Sequence, residues 1–283
     1  MFERLISIDW SGAGLDTKRV DLRIAQWTQD GSVLIPPPSR LAARSWSRSE
    51  ALDFLTRELQ PDKPRTAVAL DFAFGLPWGS DTEVFGVSGW RPMLCSLRDL
   101  YYQQGTARAT AAAINERQEF QGHGPYRFDA GRTDFRFYVR HGVPYYRLIE
   151  LVMPQAISVW YVGSGATVGF HTITGLVCLA TLLDRRDDGL IDFSVWPHEG
   201  LEGPFPGHVL LEGYPAVFPR LADFGPCRDD DERDAWRMLD GMQIMNAAGQ
   251  LEHNLRLPDG LVSRLAPDGL QRVQFEGWIL GVM

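Results

Sequence analysis

The sequence predicts a layered α/β fold, and three features carry that prediction. Strand-like apolar runs end in a carboxylate three times: Leu5-Ile6-Ser7-Ile8 before Asp9, Ala67-Val68-Ala69-Leu70 before Asp71, and His208-Val209-Leu210-Leu211 before Glu212. Three strand-like runs, a helix and a further apolar strand follow one another over the first seventy or so residues. Late in the chain a helix opens on Asp229-Asp230-Asp231-Glu232-Arg233-Asp234 and only then turns apolar. An apolar run that ends in an acid places that acid at the rim of a buried sheet, so strands lying side by side bring their charges to one spot.

Each element has a local reason. Residues 4–11 read as a strand and Asp21 to Gln29 as its antiparallel return, with Gly12 to Arg19 turning between them. Ser32 to Ile35 is a third strand, halted by Pro36-Pro37-Pro38. Ser47 and Glu50 form a capping box that starts a helix; Leu52, Leu55 and Leu59 make its stripe, and Pro61 follows its end. Thr66 to Phe72 is continuously apolar up to its acid, as suits a strand buried on both faces. This order opens a ribonuclease H-like mixed sheet of order 3-2-1-4-5 flanked by helices. In it strand four lies beside strand one, which makes Asp9 and Asp71 neighbours.

The pattern breaks from Trp78 to about Gly169, a stretch rich in Gly, aromatics and Arg with one helix signal at Thr106 to Phe120. It reads as a large insertion after strand four, residues 78–169, covering the carboxylate rim of a single domain that spans 1–283. The layer then resumes with a helix at Thr172 to Asp184, a candidate strand at Leu190 to Trp196, and a strand at Val209 to Glu212. A last helix spans Asp230 to Ala248, with Asp234, Met238, Met242 and Met245 on one stripe. Asp231 precedes Asp234 by one turn, so both acids fall near the sheet-facing side.

Composition excludes several classes. The longest apolar helical stretch, Ile173 to Leu183, is shorter than the ~20 residues a membrane span needs. The first residues enter a strand, so no secretory leader is expected. Three scattered cysteines, Cys95, Cys178 and Cys227, predict reduced thiols and a cytoplasmic protein. A formal charge of -8 is unlike a basic nucleic-acid binder. Between Arg98 and Arg147, however, eight arginines face five acids, a local +3, and Arg suits bidentate phosphate contacts. A solvated arginine-rich surface explains the same count.

Converging carboxylates repel, and they persist where a cation or a shared proton compensates them. Oxygen donors with room for water suit Mg²⁺ or Mn²⁺. Asp9 is the candidate bridging ligand, Asp71 and Asp234 hold one metal each, Asp231 is a further metal candidate, and Glu212 is a fourth ligand or an orienter. A strand-end turn, a helix cap or charges that complement the helix dipole are the plainer readings of the same residues. Substrate-contact candidates are Arg117, Arg132 and Arg136 in the insertion, Ser11 in the turn with Gly12 and Gly14, and His171 at a helix start. The turn equally needs glycine for its own geometry, and His171 equally serves as a structural histidine. Trp160, Tyr161 and Phe170 are candidates for stacking on a base or for the core.

Ile8-Asp9-Trp10, Leu70-Asp71-Phe72-Ala73-Phe74-Gly75-Leu76-Pro77, Leu211-Glu212-Gly213-Tyr214-Pro215, Asp234-Ala235 and Glu276-Gly277-Trp278-Ile279-Leu280-Gly281 together resemble the DUF429 family. The resemblance covers both ends of the chain, and departs after Asp234 at Trp236 and Arg237. It implies a predicted nuclease of the ribonuclease H-like fold. The sequence thus points to a metal-dependent phosphodiesterase-type hydrolase, a nuclease, with nucleic acid or a phosphorylated small molecule as partner. One alternative is an ATP-dependent phosphotransferase of the sugar-kinase and actin (ASKHA) type, since Asp9-Trp10-Ser11-Gly12 is similar to that group's first phosphate loop. The other is a non-catalytic nucleotide- or nucleic-acid-binding module of the same fold. None of these motifs specifies an oligomeric state.

Overall fold

A computed structural model describes the chain apart from residues 14–19, 39–44, 129–134, 154, 164–167, 219–226, 228, 258–259 and 283. It begins with strands β1 (Arg4–Asp9), β2 (Arg23–Thr28) and β3 (Gly31–Leu34), helix α1 (Arg48–Glu58) and strand β4 (Thr66–Leu70). Ser47 caps α1 in the expected capping box with Glu50. Five helices follow: α2 (Ser80–Glu83), α3 (Trp90–Gln104), α4 (Ala107–Asn115), α5 (Arg136–His141) and α6 (Leu148–Val152). The long α7 (Val168–Asp187) leads to β5 (Ser194–Val195) and β6 (Val209–Glu212), and α8 (Asp230–Ala247), α9 (Leu261–Leu265) and α10 (Gly269–Glu276) complete the chain.

The strands form one mixed sheet of order β3-β2-β1-β4-β6-β5. β1 and β2 are antiparallel, whereas β1, β4 and β6 run parallel as neighbours. The order therefore agrees with the expectation through β4 and differs beyond it. The expected 3-2-1-4-5 arrangement is corrected to one in which β6 lies next to β4 and the fifth strand is outermost. The reason is burial: every residue of β6 is buried, while β5 is a two-residue strand paired on one side only.

Alternation along the strands divides two cores. Ile6, Ile8, Ile24, Val68, Leu70 and Leu210 face a layer that contains α1 and α7. Leu5, Ala25, Ala67, Ala69, Val209 and Leu211 face α8 and the C-terminal segment. Ser7 sits among the latter and donates to the Ala235 carbonyl at 2.6 Å, which ties β1 to the first turns of α8.

The inserted segment divides as well. Its helices α3 and α4 pack on α7, as a third layer outside the sheet. Arg91 holds Asp184 and Asp187 at 2.7 and 2.8 Å, and Arg98 also pairs with Asp184, so these charges fasten α3 to α7. In the later part, Arg147, Glu150, Ala156 and Ile157 come to the ends of β4 and β6. No described helix is long and apolar enough to cross a membrane.

Where β1 ends, Gly12 lies against the start of α7. A Cβ at Gly12 would stand 2.3 Å from the Phe170 carbonyl carbon and 2.5 Å from the His171 nitrogen. Two backbones in contact leave no flexible atom to yield. Gly12→Ala should therefore cost about 1–3 kcal/mol, read as a lower urea midpoint; an unchanged midpoint would mean that α7 is not seated on this turn.

Candidate functional site

Parallel pairing of β1, β4 and β6 brings three strand-end acids to one edge of the sheet. Leu70 is in register with Ile8 on one side and with Glu212 on the other. Asp71 extends the pairing through its N–H to the Ile8 carbonyl at 3.0 Å. Asp9 and Asp71 meet side chain to side chain and share a hydrogen bond. Two carboxyls make that contact only if one keeps a proton. Burial, and then the charges of Asp71, Asp231 and Asp234, hold Asp9 well above the usual carboxylate range. Burial and Asp234 push Asp71 up to about 7.

α8 supplies the remaining acids. Asp229 caps it by accepting from the Glu232 N–H at 2.7 Å, and its other oxygen meets Arg23 at 2.8 Å. Arg23 lies across from Asp9 on β2, so this ion pair fixes the start of α8 at the rim. Asp231 and Asp234 are both half-buried. Burial first, then neighbouring acids, raise Asp231. The buried stripe is Ala235, Met238, Leu239 and Met242, which puts Asp234 at its edge rather than within it, one residue from the expected register. Trp236 packs partly against the same core, and Arg237 donates to the Phe218 carbonyl at 2.6 Å.

Glu212 is engaged differently. Arg147 clamps both its oxygens at 2.7 and 2.9 Å, and the Phe74 N–H adds a contact of 2.9 Å. The same guanidinium donates to Glu150 at 2.8 Å and to the Glu276 carbonyl at 2.9 Å. Glu276 in turn accepts from the N–H groups of Leu148 and Trp78. Arg147, Glu150, Glu212 and Glu276 are all buried. Burial raises Glu150 to about 7 despite its contact with Arg147. This network joins α6, the end of β6 and the end of α10 beneath the rim. Gly277, at φ +89°, lets the chain pass: a Cβ there would lie 2.8 Å from a Glu212 oxygen.

Beside the carboxyl pair is a cleft of about 210 Å³, bounded by Asp71, Arg147, Glu150, His171, Glu212 and Tyr214, with Phe72, Ile157, Val168 and Ile279 among its apolar walls. His171 is half-buried at its edge; burial first, then the Arg48 charge, lower its pKa to about 4. The Tyr214 phenol is raised by burial and then by Asp71 and Asp234.

The other candidates lie apart from this cleft's walls. The Ser11 and Ala13 carbonyls accept from Arg48 at 2.9 and 2.7 Å, which pins the turn after β1 through its acceptors. Arg117 donates to the Val84 carbonyl and lies 5.9 Å from the Phe85 ring centre. Arg136 is exposed on α5. Arg132 and Gly14 lie outside the described residues. Trp160 is fully buried, T-stacked on Tyr126. Arg147, Glu150, Tyr214 and Glu276 were not singled out from sequence. Tyr214 and Glu276 appear in the sequence only inside the motifs that carry the family resemblance, Arg147 only as the end of an arginine-rich stretch, and nothing marks Glu150.

Among the described residues, no group of three or more His, Cys, Asp or Glu side chains is gathered as a ready metal cage. Asp9 and Asp71 still fit a divalent ion that keeps most of its waters, as Mg²⁺ does with one or two carboxylates. Glu212 does not, because Arg147 and Phe74 hold both its oxygens. No family model, curated protein or solved structure matches the chain.

Two outcomes follow from these charges. Asp9 and Asp71 bind protons more tightly when folded, so their stabilisation is complete below pH ~4 and is lost as pH rises through about 7. Glu150 adds the same sign. With chelator present, stability should fall over that window by several kcal/mol, ~4 kcal/mol for Asp71 alone, and Asp9→Asn should flatten the fall; equal pH slopes would separate Asp9 from it. Arg147→Met should cost roughly 3–5 kcal/mol by leaving buried carboxylates unpaired, and a loss under ~1 kcal/mol in urea unfolding would show that solvent reaches them.

Proposed function

We propose that this protein is a divalent-metal-dependent hydrolase of phosphoester bonds, with Asp9 and Asp71 as its metal donors. The observation that carries this reading is the pair itself: two carboxyls on adjacent parallel strands, hydrogen-bonded to each other and both raised in pKa. Repulsion of that kind costs stability, and a divalent cation converts it into attraction. Bound there, Mg²⁺ or Mn²⁺ would neutralise charge on a phosphoryl oxygen and make a water more acidic.

The chain's own groups supply the rest. Asp234, close enough to raise both Asp9 and Asp71, is the acceptor for a proton from the attacking water. Tyr214, which also feels Asp71 and Asp234, offers its hydroxyl hydrogen to a substrate oxygen. Arg147 keeps Glu212 out of competition for the cation and holds the cleft floor rigid.

The similarity to the DUF429 motifs supports a hydrolase of this kind. Support for a polymer substrate is weaker, because Arg91 and Arg98 are paired with α7 and Arg117 with a carbonyl. The phosphotransferase reading needs a phosphate cradle after β1. Arg48 instead holds carbonyls of that turn, and Gly12 faces the backbone of α7.

Saturating Mn²⁺, at about a hundred times its Kd, should stabilise the protein by about 2.7 kcal/mol, seen as a higher Tm. Asp9→Asn and Asp71→Asn should each remove the increase and any Mn²⁺-dependent phosphoester hydrolysis. A Tm response that survives both substitutions would place the metal elsewhere and refute the reading.

A further inference from the structure

The cleft beside Asp71 has properties that the carboxyl pair alone does not explain. It starts at a proposed metal donor, so whatever fills it is attached to the reacting group. At about 210 Å³ it is smaller than the ~300–1,000 Å³ of pockets for drug-sized ligands. Among the described residues its only arginine, Arg147, already contacts Glu150, both oxygens of Glu212 and the Glu276 carbonyl, so no described wall residue offers a free cation to a second phosphate. Asp71, Glu150 and Glu212 would repel one.

Its polar handles are of another kind. His171 lines the cleft, and among the described residues its ring makes no hydrogen bond. With a pKa near 4 it is neutral at ordinary pH, one nitrogen donating and the other accepting. Tyr214 stands on the same wall, its hydroxyl 3.4 Å from the Gln155 carbonyl, a contact long enough to yield to a ligand. Ile157 and Val168 supply apolar wall, with Ile157 38% exposed at the mouth.

We infer that this cleft is the subsite for the organic part of the substrate, a compact, uncharged group that His171 and Tyr214 read by hydrogen bonds. The inference rests on the phosphoester reading above and narrows it to small esters with one phosphate, as opposed to a nucleic-acid strand whose next phosphate would meet the acids.

Hydroxyphenylphosphonate, a non-hydrolysable anion whose compact uncharged ring carries a hydroxyl for His171 and Tyr214 to bond, tests this by calorimetry with Mg²⁺ present. Wild type should bind it, and His171 ring signals, identified by their loss in His171→Asn, should shift on its addition. Ile157→Trp and Ala156→Trp, which fill the mouth from half-exposed positions, should weaken binding at least tenfold while keeping the Mn²⁺-dependent Tm increase. That retained increase shows both that the variants fold and that the metal site stands. Unchanged binding in both variants, unshifted His171 signals, or no binding by a wild type that does bind Mn²⁺ would overturn the subsite. Cleavage of a single-stranded oligonucleotide at the same rate by wild type and both variants would overturn it as well, leaving the metal site intact. Loss of the metal response in wild type itself would instead remove the phosphoester reading on which the subsite depends.

Discussion

Acids at the ends of three adjacent parallel strands must each be compensated, and the molecule does so differently at each strand. On β6, Glu212 is given a buried arginine in bidentate contact. At the ends of β1 and β4, Asp9 and Asp71 have no such cation among the described residues; they share a hydrogen bond and hold protons to unusually high pH. Much of the surrounding architecture follows from this division. The late part of the insertion delivers Arg147, the C-terminal segment delivers Glu276 to fix the network, and Arg23 secures α8 by its capping Asp229.

The contrast between the two solutions is what separates structure from function here. A buried carboxylate clamped by arginine is rigid and contributes to packing, but it is unavailable for chemistry. A pair held together by one proton is poised to exchange that proton for a cation. The cleft begins where these regimes meet, with Asp71 on one wall and Arg147 on another. Its floor is fixed by the network and its mouth by apolar residues of the insertion, so it presents a small shaped space next to reactive donors.

How much of this was legible in sequence depends on the range of each interaction. Local signals read well: the Ser47–Glu50 box, the helix that starts at Asp230 and the apolar strands leading to Asp9, Asp71 and Glu212 all lie within a few residues of their own evidence. The neighbourhood of β1 and β4 was also legible, because the helix between them permits a parallel return. The exchange of β5 and β6 was not, since a two-residue edge strand has no pattern of its own. Nor was Arg147, one arginine among eight in its stretch, whose partner Glu212 lies 65 residues away. Local excess of positive charge suggested a phosphate-binding surface, yet Arg98 and Arg147, at the two ends of that stretch, are engaged by carboxylates within the fold. Counting charges along a chain cannot distinguish a surface from an internal ion pair.

In the proposed site the Asp9–Asp71 hydrogen bond stands in for a divalent cation. The most direct measurement is a crystal soaked in Mn²⁺, with anomalous scattering used to locate the metal. A single strong peak is expected at roughly 2.0–2.3 Å from an oxygen of both Asp9 and Asp71, with the carboxyl-to-carboxyl hydrogen bond gone and Glu212 still clamped by Arg147. A saturated crystal in which Asp9 and Asp71 remain hydrogen-bonded to each other, with manganese elsewhere or nowhere, would contradict it.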